Sequence, residues 1–219
     1  MLLILTNLQR STKYLIKYCL NISYIYILHN STKIMNESIE TVSDIKIGFP
    51  GQIENDGNVP FLQLRQFNDE GMLFTNDADC IKLNEKIEPH LLINGDVLFV
   101  GKGNRLFAWC YKENSIPTVA SSSFFVLRPN TKKVHPEYLA AFLNAPQTKA
   151  ALTQLGGGTN IFSIRKSELA AFQIPILPMD QQIKVAALAT FHQQEVQLAK
   201  EIISHKQNLY SAIISKLIK

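Results

Sequence analysis

Short apolar runs separated by turn residues dominate the middle of the chain, and this pattern predicts β-strands. Val59–Leu64 reads as one strand, and LLINGDVLFV at 91–100 carries a turn at Asn94–Gly95 followed by a β-rich run. LFAWCY at 106–111 is expected to return as its hairpin partner. Ile116–Leu127 predicts a further strand pair around Ser121–Ser123.

Helical patterns follow these strands. His135-Pro136 starts a helix through Asn144, because proline suits a first turn and Glu137 suits the positive helix end. A second helix is expected over Gln147–Leu155, capped by the glycines at 156–158. Ser167–Ala171 predicts a short helical turn and Phe172–Leu177 a strand. The mixture indicates a compact α/β domain of the mixed (α+β) class, built on a mixed sheet.

The C-terminal segment from Asp180 to Lys219 contains no glycine or proline, which predicts a long helix with Asp180 as its N-cap. At about 1.5 Å per residue it would be roughly 60 Å long. One domain cannot cover a stripe of that length, so a partner helix in a coiled coil is expected. The alternative is that the helix bends back and packs on its own domain. The apolar residues assigned to the stripe, and so to oligomerisation, are Leu188, Phe191, Leu198, Ile202, Leu209 and Ile213.

The first residues differ from the rest. The apolar run at 14–28 is interrupted by Lys17, Asn21 and Ser23, and it is too short to span a membrane. We therefore divide the chain into a leader (1–34), a domain (35–179) and a helical arm (180–219). Met35 is interpreted as the natural start, with the leader as translated upstream sequence. The alternative is that the leader forms a helix or strand that packs on the domain.

Charge is distributed unevenly along the chain. The net charge is +4, with residues 36–89 acidic and residues 90–219 basic. A basic second half fits a surface that contacts phosphates, although a solvated surface of mixed charge is an equal alternative. The cysteines Cys19, Cys80 and Cys110 form no C-x-x-C pair, and the histidines lack ligand spacing. These features favour a reduced, cytoplasmic chain without a structural zinc site.

Two loops carry the candidate binding chemistry. GKGNR at 101–105 is expected at a hairpin tip, and its spacing from Gly95 does not fit a phosphate-binding loop for nucleotides. The glycine run at 156–158 leads into a polar, basic segment. Lysine, arginine and asparagine side chains contact phosphates or base edges, although an ordinary turn explains each loop as well. The predicted DNA-binding residues are Lys102, Asn104, Arg105, Thr159, Asn160, Ser163, Arg165 and Lys166. No residue group fits a catalytic or metal site, so we expect no enzyme activity.

Three motifs in this order resemble the specificity subunit of type I restriction–modification systems. They are ASSSFFVLRP at 120–129, HPEYLAAFLNAP at 135–146 and GGGTNIFSIRKSELAAFQIPILPMDQQ at 156–182. Such subunits have two target recognition domains, each followed by a conserved helical region. This chain resembles a half-length form with one of each. The resemblance implies a target recognition domain over 35–179 followed by a coiled-coil arm.

The resemblance also implies a function. The domain would read one half-site of double-stranded DNA, and the arm would dock methyltransferase (M) subunits and, in the complete system, the restriction (R) subunit. The chain would be non-catalytic and hold no cofactor, because the partners use the methyl donor and ATP. The arm would form a homodimer or pair with a second half-subunit, away from any membrane. The alternative function is a coiled-coil assembly module that does not read a DNA sequence.

Overall fold

The computed structural model describes residues 34–53, 56–74, 79–103, 105–112, 116–155 and 162–218. The predicted leader therefore lies outside the described residues, apart from Ile34. Asn36–Lys219 form one compact unit. Its elements, in chain order, are β1 (Met35–Ser38), α1 (Ile39–Val42), β2 (Ser43–Ile47), β3 (Val59–Leu62), β4 (Cys80–Ile81), β5 (Val97–Val100), β6 (Lys102–Gly103), β7 (Ala108–Cys110), β8 (Val119–Ala120), β9 (Phe124–Pro129), α2 (Pro136–Asn144), α3 (Pro146–Leu155), β10 (Phe162–Ser163), α4 (Lys166–Ala171), β11 (Gln173–Ile176) and α5 (Met179–Leu217). Short 3₁₀ turns lie at Leu64–Gln66 and Glu88–His90.

An antiparallel sheet in the order β2-β9-β5-β7 forms the centre of the unit. All four residues of β5 are fully buried, because both faces of the sheet are covered. Val97 and Phe99 face a cluster that includes helix residues such as Leu139, and Leu98 and Val100 face an aromatic cluster. The pairing of β5 with β7 confirms the predicted hairpin.

A second sheet, in the order β4-β3-β8, pairs β3 antiparallel with β4 and parallel with β8. The predicted strand pair around Ser121–Ser123 is therefore wrong in its pairing: β8 belongs to this second sheet and β9 to the central one. The serine turn, in which the Phe124 N–H donates to the Ser121 carbonyl at 3.0 Å, carries the chain from one sheet to the other. The predicted mixed-sheet α+β class is confirmed.

The predicted helices are present, with small differences at their ends. α2 has Pro136 in its first turn as predicted, and α3 begins at Pro146 rather than Gln147. The assignment of Asp180 as the N-cap of the last helix is wrong. Pro178 takes that position with an extended backbone, and Asp180 lies in the first turn beside Lys184. A carboxylate still favours the positive helix end from there.

In the part of the chain that the structure describes, α5 packs on the rest of the unit mainly through its first turns. The helix has 39 residues, which corresponds to about 58 Å. Gln182 and Ala186 are buried against the unit, whereas the side chains from Phe191 onward are mostly exposed. The alternative in which the helix bends back along its whole length is therefore excluded for residues 179–217.

Candidate nucleic-acid interface and assembly arm

The two loops that were predicted to bind DNA meet in space. β6 pairs antiparallel with β10, so that Lys102 lies opposite Ser163 and Gly103 opposite Phe162. The Ile164 N–H also donates to the Gly101 carbonyl at 3.0 Å. More than 50 residues of sequence separate these segments, yet the pairing places Lys102 and Ser163 side by side.

Gly101 lies where β6 and β10 begin to pair, and three segments approach its backbone. Its N–H donates to the Ser123 carbonyl at 3.0 Å, while its carbonyl accepts the bond from Ile164. A Cβ atom at this position would lie 2.5 Å from the ring of Phe125, which leaves space only for glycine. The serine turn at Ser121–Ser123 thereby becomes a neighbour of Lys102. The sequence pattern predicted only a strand pair around these serines and gave no sign of this position.

The predicted polar side chains around the junction are accessible. Lys102, Ser163, Arg165 and Lys166 are all exposed. Within the described ranges, the charged ends of the two lysines and of Arg165 form no hydrogen bond or ion pair with another side chain. The Arg165 N–H donates to the carboxylate of Glu168 at 2.8 Å, which fixes the first turn of α4. These groups can therefore contact an external anion without breaking a bond to another described side chain.

Arg105 is held differently from the other predicted residues. Its guanidinium donates to the Phe67 carbonyl at 2.6 Å and to the Leu64 carbonyl at 2.7 Å, and it lies 3.4 Å from the Asp69 carboxylate. Phe67 itself contacts aromatic rings of the core. Arg105 therefore fastens the loop at 64–69 to the segment that follows β6.

Three predicted DNA-binding residues, Asn104, Thr159 and Asn160, lie outside the described residues. The described residues that flank Asn104 are Gly103 and Arg105, and those on either side of Thr159 and Asn160 are Leu155 and Ser163. The structure thus brings together four of the eight predicted residues as exposed groups, with Arg105 as a loop anchor beside them.

A buried glutamine fixes the base of the arm. The Gln182 side chain accepts a hydrogen bond from the His135 N–H at 2.8 Å and donates to the carbonyls of Lys133 at 3.0 Å and Leu177 at 2.8 Å. It thereby joins α5 to the loop before α2 and to the segment that leaves β11. Sequence reasoning missed this role, although Gln182 ends the longest of the family-like motifs.

Further along α5, one ion pair connects the arm to the domain. The Lys200 ammonium contacts the Glu70 carboxylate, and this contact lowers the pKa of Glu70. Both groups are accessible to water, so the pair contributes little to stability. The residues of α5 that follow Lys200 are exposed, apart from the half-buried Ile214.

The six apolar residues predicted for oligomerisation are uncovered in this chain. They are between 47% and 64% exposed. At about 100° per residue, they fall within about 80° of the helix circumference. The residues of α5 that face the domain, such as Val185, Ala186 and Val196, lie about 100–160° from the centre of that arc on the same helical wheel. We call the exposed row the arm strip, defined as Leu188, Phe191, Leu198, Ile202, Leu209 and Ile213.

The described residues contain no cluster of three or more histidine, cysteine or acidic residues that could hold a metal ion. Burial raises the pKa of the Cys110 thiol to about 11, so this thiol is a poor nucleophile near neutral pH. In the same described ranges, no helix is both long and apolar enough to cross a membrane.

Comparisons with known proteins agree with this arrangement. Among solved structures, the chain is similar to the S subunit of a type I restriction–modification system from M. genitalium, with 18% identity, 79% of this chain covered and a TM-score of 0.54. It is also similar to the HsdS subunit from Thermoanaerobacter tengcongensis, with 20% identity, 80% coverage and a TM-score of 0.53. A third structure describes complex assembly and conformational transition of the type I R-M system, with 18% identity, 80% coverage and a TM-score of 0.57.

The chain spans less than half of these larger proteins, covering 42%, 42% and 43% of their lengths. At these identities the likeness establishes the fold. No curated protein sequence matches the chain. The family described as type I restriction modification DNA specificity domain matches residues 51–205, which is most of the chain. This family confirms the predicted class, that of a non-catalytic recognition protein. The chain belongs to the type I restriction–modification DNA specificity domain family.

Proposed function

We propose that this chain is the DNA-recognition subunit of a type I restriction–modification system and that it reads one half-site of its target. The observation that carries the proposal is the pairing of β6 with β10, which joins two separate polar loops into one exposed surface. Family membership supplies the class of ligand, and the surface supplies groups that suit it.

The surface has two kinds of contact to offer. Lys102, Arg165 and Lys166 present cations that no described side chain pairs, and contacts from these cations to phosphates would hold the domain in register on the duplex. Ser163, together with Asn104, Thr159 and Asn160 from the adjoining segments, would supply hydrogen bonds to the backbone or to base edges. Arg105 would act through the loop that it anchors, since its donors already bind carbonyl groups.

The arm would supply assembly. The arm strip would bury itself against a second arm, either of an identical copy or of a different half-subunit, and this pairing would set the distance between two half-sites. The same arms would dock methyltransferase subunits and, in the complete system, the restriction subunit. Methyl donor and ATP would be used by those partners, in the cytoplasm where the DNA lies.

One observation favours a second candidate function. The exposed arm strip would serve equally well in an assembly module that never reads a DNA sequence. That module would bind DNA weakly, with the same affinity for every sequence, and substitutions at the β6–β10 surface would leave assembly unchanged.

The test is DNA binding by Lys102→Ala, Arg165→Ala and Lys166→Ala variants, measured by titration at several salt concentrations against a target selected from random DNA. Each lost phosphate contact should lower the salt slope by about one unit. A lost base contact should instead cost about 1–3 kcal/mol and relax one position of the target.

Lys132→Ala is the matched control. This exposed lysine follows the far end of β9, whereas Gly101 lies beside the first residues of that strand. The control should bind like the unsubstituted protein. If all three surface variants also bind like it, the DNA surface lies elsewhere. If no sequence is selected at all, the assembly module is the better description.

A further inference from the structure

A short hairpin lies between the proposed DNA surface and the arm. Its two sides are joined by a bridge between Phe67 and Leu73 and by a hydrogen bond of 3.0 Å from the Phe74 N–H to the Gln66 carbonyl. We call residues 64–74 the strut hairpin. It contacts β6 at one end and α5 at the other, so it joins two regions that are far apart in the sequence.

The tip of the strut hairpin is rigid. The Asn68 side chain accepts hydrogen bonds from the N–H groups of Glu70 at 3.1 Å and of Met72 at 2.9 Å. Gly71 has a φ of +78°, and a Cβ atom there would lie 2.6 Å from the Phe107 ring. Glycine alone takes this conformation without strain and leaves room for the ring. The tip is therefore seated on the aromatic cluster of the core and moves as one piece.

The base of the strut hairpin is fastened beside the DNA surface. Arg105 donates to the carbonyls of Leu64 and Phe67. Leu64 also lies against β6, since a Cβ atom on Gly103 would be 3.2 Å from its side chain. Gly103 directly follows Lys102, one of the cations proposed for DNA. The position of the hairpin is thereby tied to the position of that surface.

The tip reaches α5 well beyond the buried base of the arm. Glu70 contacts the Lys200 ammonium, and Met72 lines a shallow groove together with Gln193 of α5. Lys200 lies about 27 Å along the helix from Gln182. Between these two positions the helix passes an open cleft lined by α2 and β7. The hairpin therefore gives the arm a second point of support.

We infer that the strut hairpin sets the direction of α5 relative to the β6–β10 surface, and that Arg105, Glu70 and Lys200 are its positioning residues. This inference rests on the proposed function, in which that surface contacts DNA and the arm carries the assembly. A helix that is held at one end can pivot, whereas two separated contacts define a line. At about 27 Å from the base, about 3 Å of free movement at Lys200 is a tilt of only about 6°.

The contact can set a direction without contributing much stability. Glu70 and Lys200 are both accessible to water, and such ion pairs add little to the free energy of folding. Loss of the pair should therefore leave the melting temperature nearly unchanged while it widens the range of arm directions. This combination separates a positioning role from a structural one.

Carbodiimide cross-linking tests the contact itself. The reagent converts the Glu70 carboxylate to an O-acylisourea, and the Lys200 amine then forms an amide bond while the reagent leaves as a urea. Peptide mass spectrometry identifies the 70–200 product. The Lys112–Glu137 pair, at 2.9 Å, supplies the reference product, because neither residue belongs to the hairpin or to α5.

Arg105→Ala should lower the 70–200 yield roughly fivefold or more, because the hairpin loses both carbonyl contacts at its base. The reference yield should stay the same. Lys132→Ala, on the exposed segment after β9, is the control and should change neither yield. A 70–200 yield that is equal in Arg105→Ala and in the control would show that Arg105 does not position the hairpin.

Distances between spin labels test the direction of the arm. Labels at Lys132→Cys and Gln207→Cys, in a chain whose native cysteines are serines, report the distance from domain to arm in protein diluted with excess unlabelled chains. Glu70→Lys should broaden the distance distribution roughly twofold, because like charges then meet at the contact. Glu70→Lys combined with Lys200→Glu should narrow it again. Glu40→Lys, the same charge change at an exposed position on α1, is the matched control.

A distribution as narrow in Glu70→Lys as in Glu40→Lys would overturn the inference, and so would a broadening that the exchanged pair does not reverse. Broadening accompanied by a fall of several degrees in melting temperature would assign the contact a structural role and overturn it as well. All of these measurements are made without DNA. Failure to select any DNA target would remove the proposed function and leave the strut hairpin to its own tests.

Discussion

Gln182 should be among the most sensitive positions in the arm, although glutamine is usually a tolerant surface residue. Its side chain is 1% exposed, and it makes three hydrogen bonds to the backbone at His135, Lys133 and Leu177. Gln182→Met keeps a similar length and volume but removes all three bonds at once. The backbone groups left behind would have no partner on α5.

The magnitude follows from those three bonds. A backbone group left without its partner in a buried position costs about 1–3 kcal/mol. The backbone segments around Gln182 are partly rather than fully buried, so the lower limit of that energy range applies to each of the three backbone groups. Gln182→Met should therefore reduce the free energy of unfolding by about 3 kcal/mol. For a domain of this size the melting temperature should fall by roughly 6–12 °C.

Gln182→Glu separates hydrogen bonding from volume. A carboxylate can still accept the bond from the His135 N–H, but it cannot donate to the two carbonyls and would bring negative charge against them. It should destabilise at least as much as methionine. Gln181→Met is the matched control, because Gln181 is the preceding residue and is only half buried. Its effect should stay within about 0.5 kcal/mol.

Urea unfolding followed by circular dichroism measures all three variants. A Gln182→Met protein within 0.5 kcal/mol of the unsubstituted one would refute the reasoning, since it would show that the three bonds contribute no net stability. An equal decrease in the free energy of unfolding for Gln181→Met and Gln182→Met would refute the reasoning as well. The effect would then come from the helix and not from the buried hydrogen bonds.

Two other contacts give predictions of the same kind. Asp96 is fully buried and forms a two-point ion pair with Arg128 at 2.8 and 2.9 Å. Asp96→Asn should therefore lower the free energy of unfolding in urea by about 3 kcal/mol. A decrease no larger than that of the exposed control Asp44→Asn would contradict this prediction. Arg105→Ala should cost about 1–3 kcal/mol through the lost carbonyl contacts and make the 64–72 loop more sensitive to protease, whereas a stability equal to that of Lys102→Ala would refute the anchoring role.

Much of the fold could be predicted because its signals are local. The hairpin of β5 and β7 follows from two apolar runs around a glycine loop, and α2 follows from His135-Pro136-Glu137 at its start. The absence of glycine and proline after Asp180 was enough to predict α5. The prediction of Asp180 as the N-cap was wrong because the helix starts earlier, after the extended backbone of Pro178. No side chain makes a capping hydrogen bond there.

Pairing between distant segments could not be predicted in the same way. The serine turn looked like the centre of a hairpin, since alternation does not reveal which sheet a strand joins. Lys102 and Ser163 were both proposed for DNA, but their adjacency depends on a two-residue pairing that leaves no periodic signal. Arg105 looked like a free cation at a loop tip. Its carbonyl partners lie about 40 residues earlier in the chain, and backbone acceptors have no sequence signature.

The nature of the anchor at Gln182 bears on how the arm keeps its direction. The residues of α5 that face the domain include Ala186 and Ala189, and a cleft of about 660 Å³ remains beside them, against α2 and β7. Contacts between small apolar side chains with open space nearby would allow the helix to slide or tilt, because such contacts are not directional. Hydrogen bonds from one amide to three backbone groups are directional, and they fix both the rotation and the height of the helix. In a protein that would measure the distance between two half-sites, the arm direction is itself a functional quantity. A buried polar anchor specifies it where apolar packing alone would not.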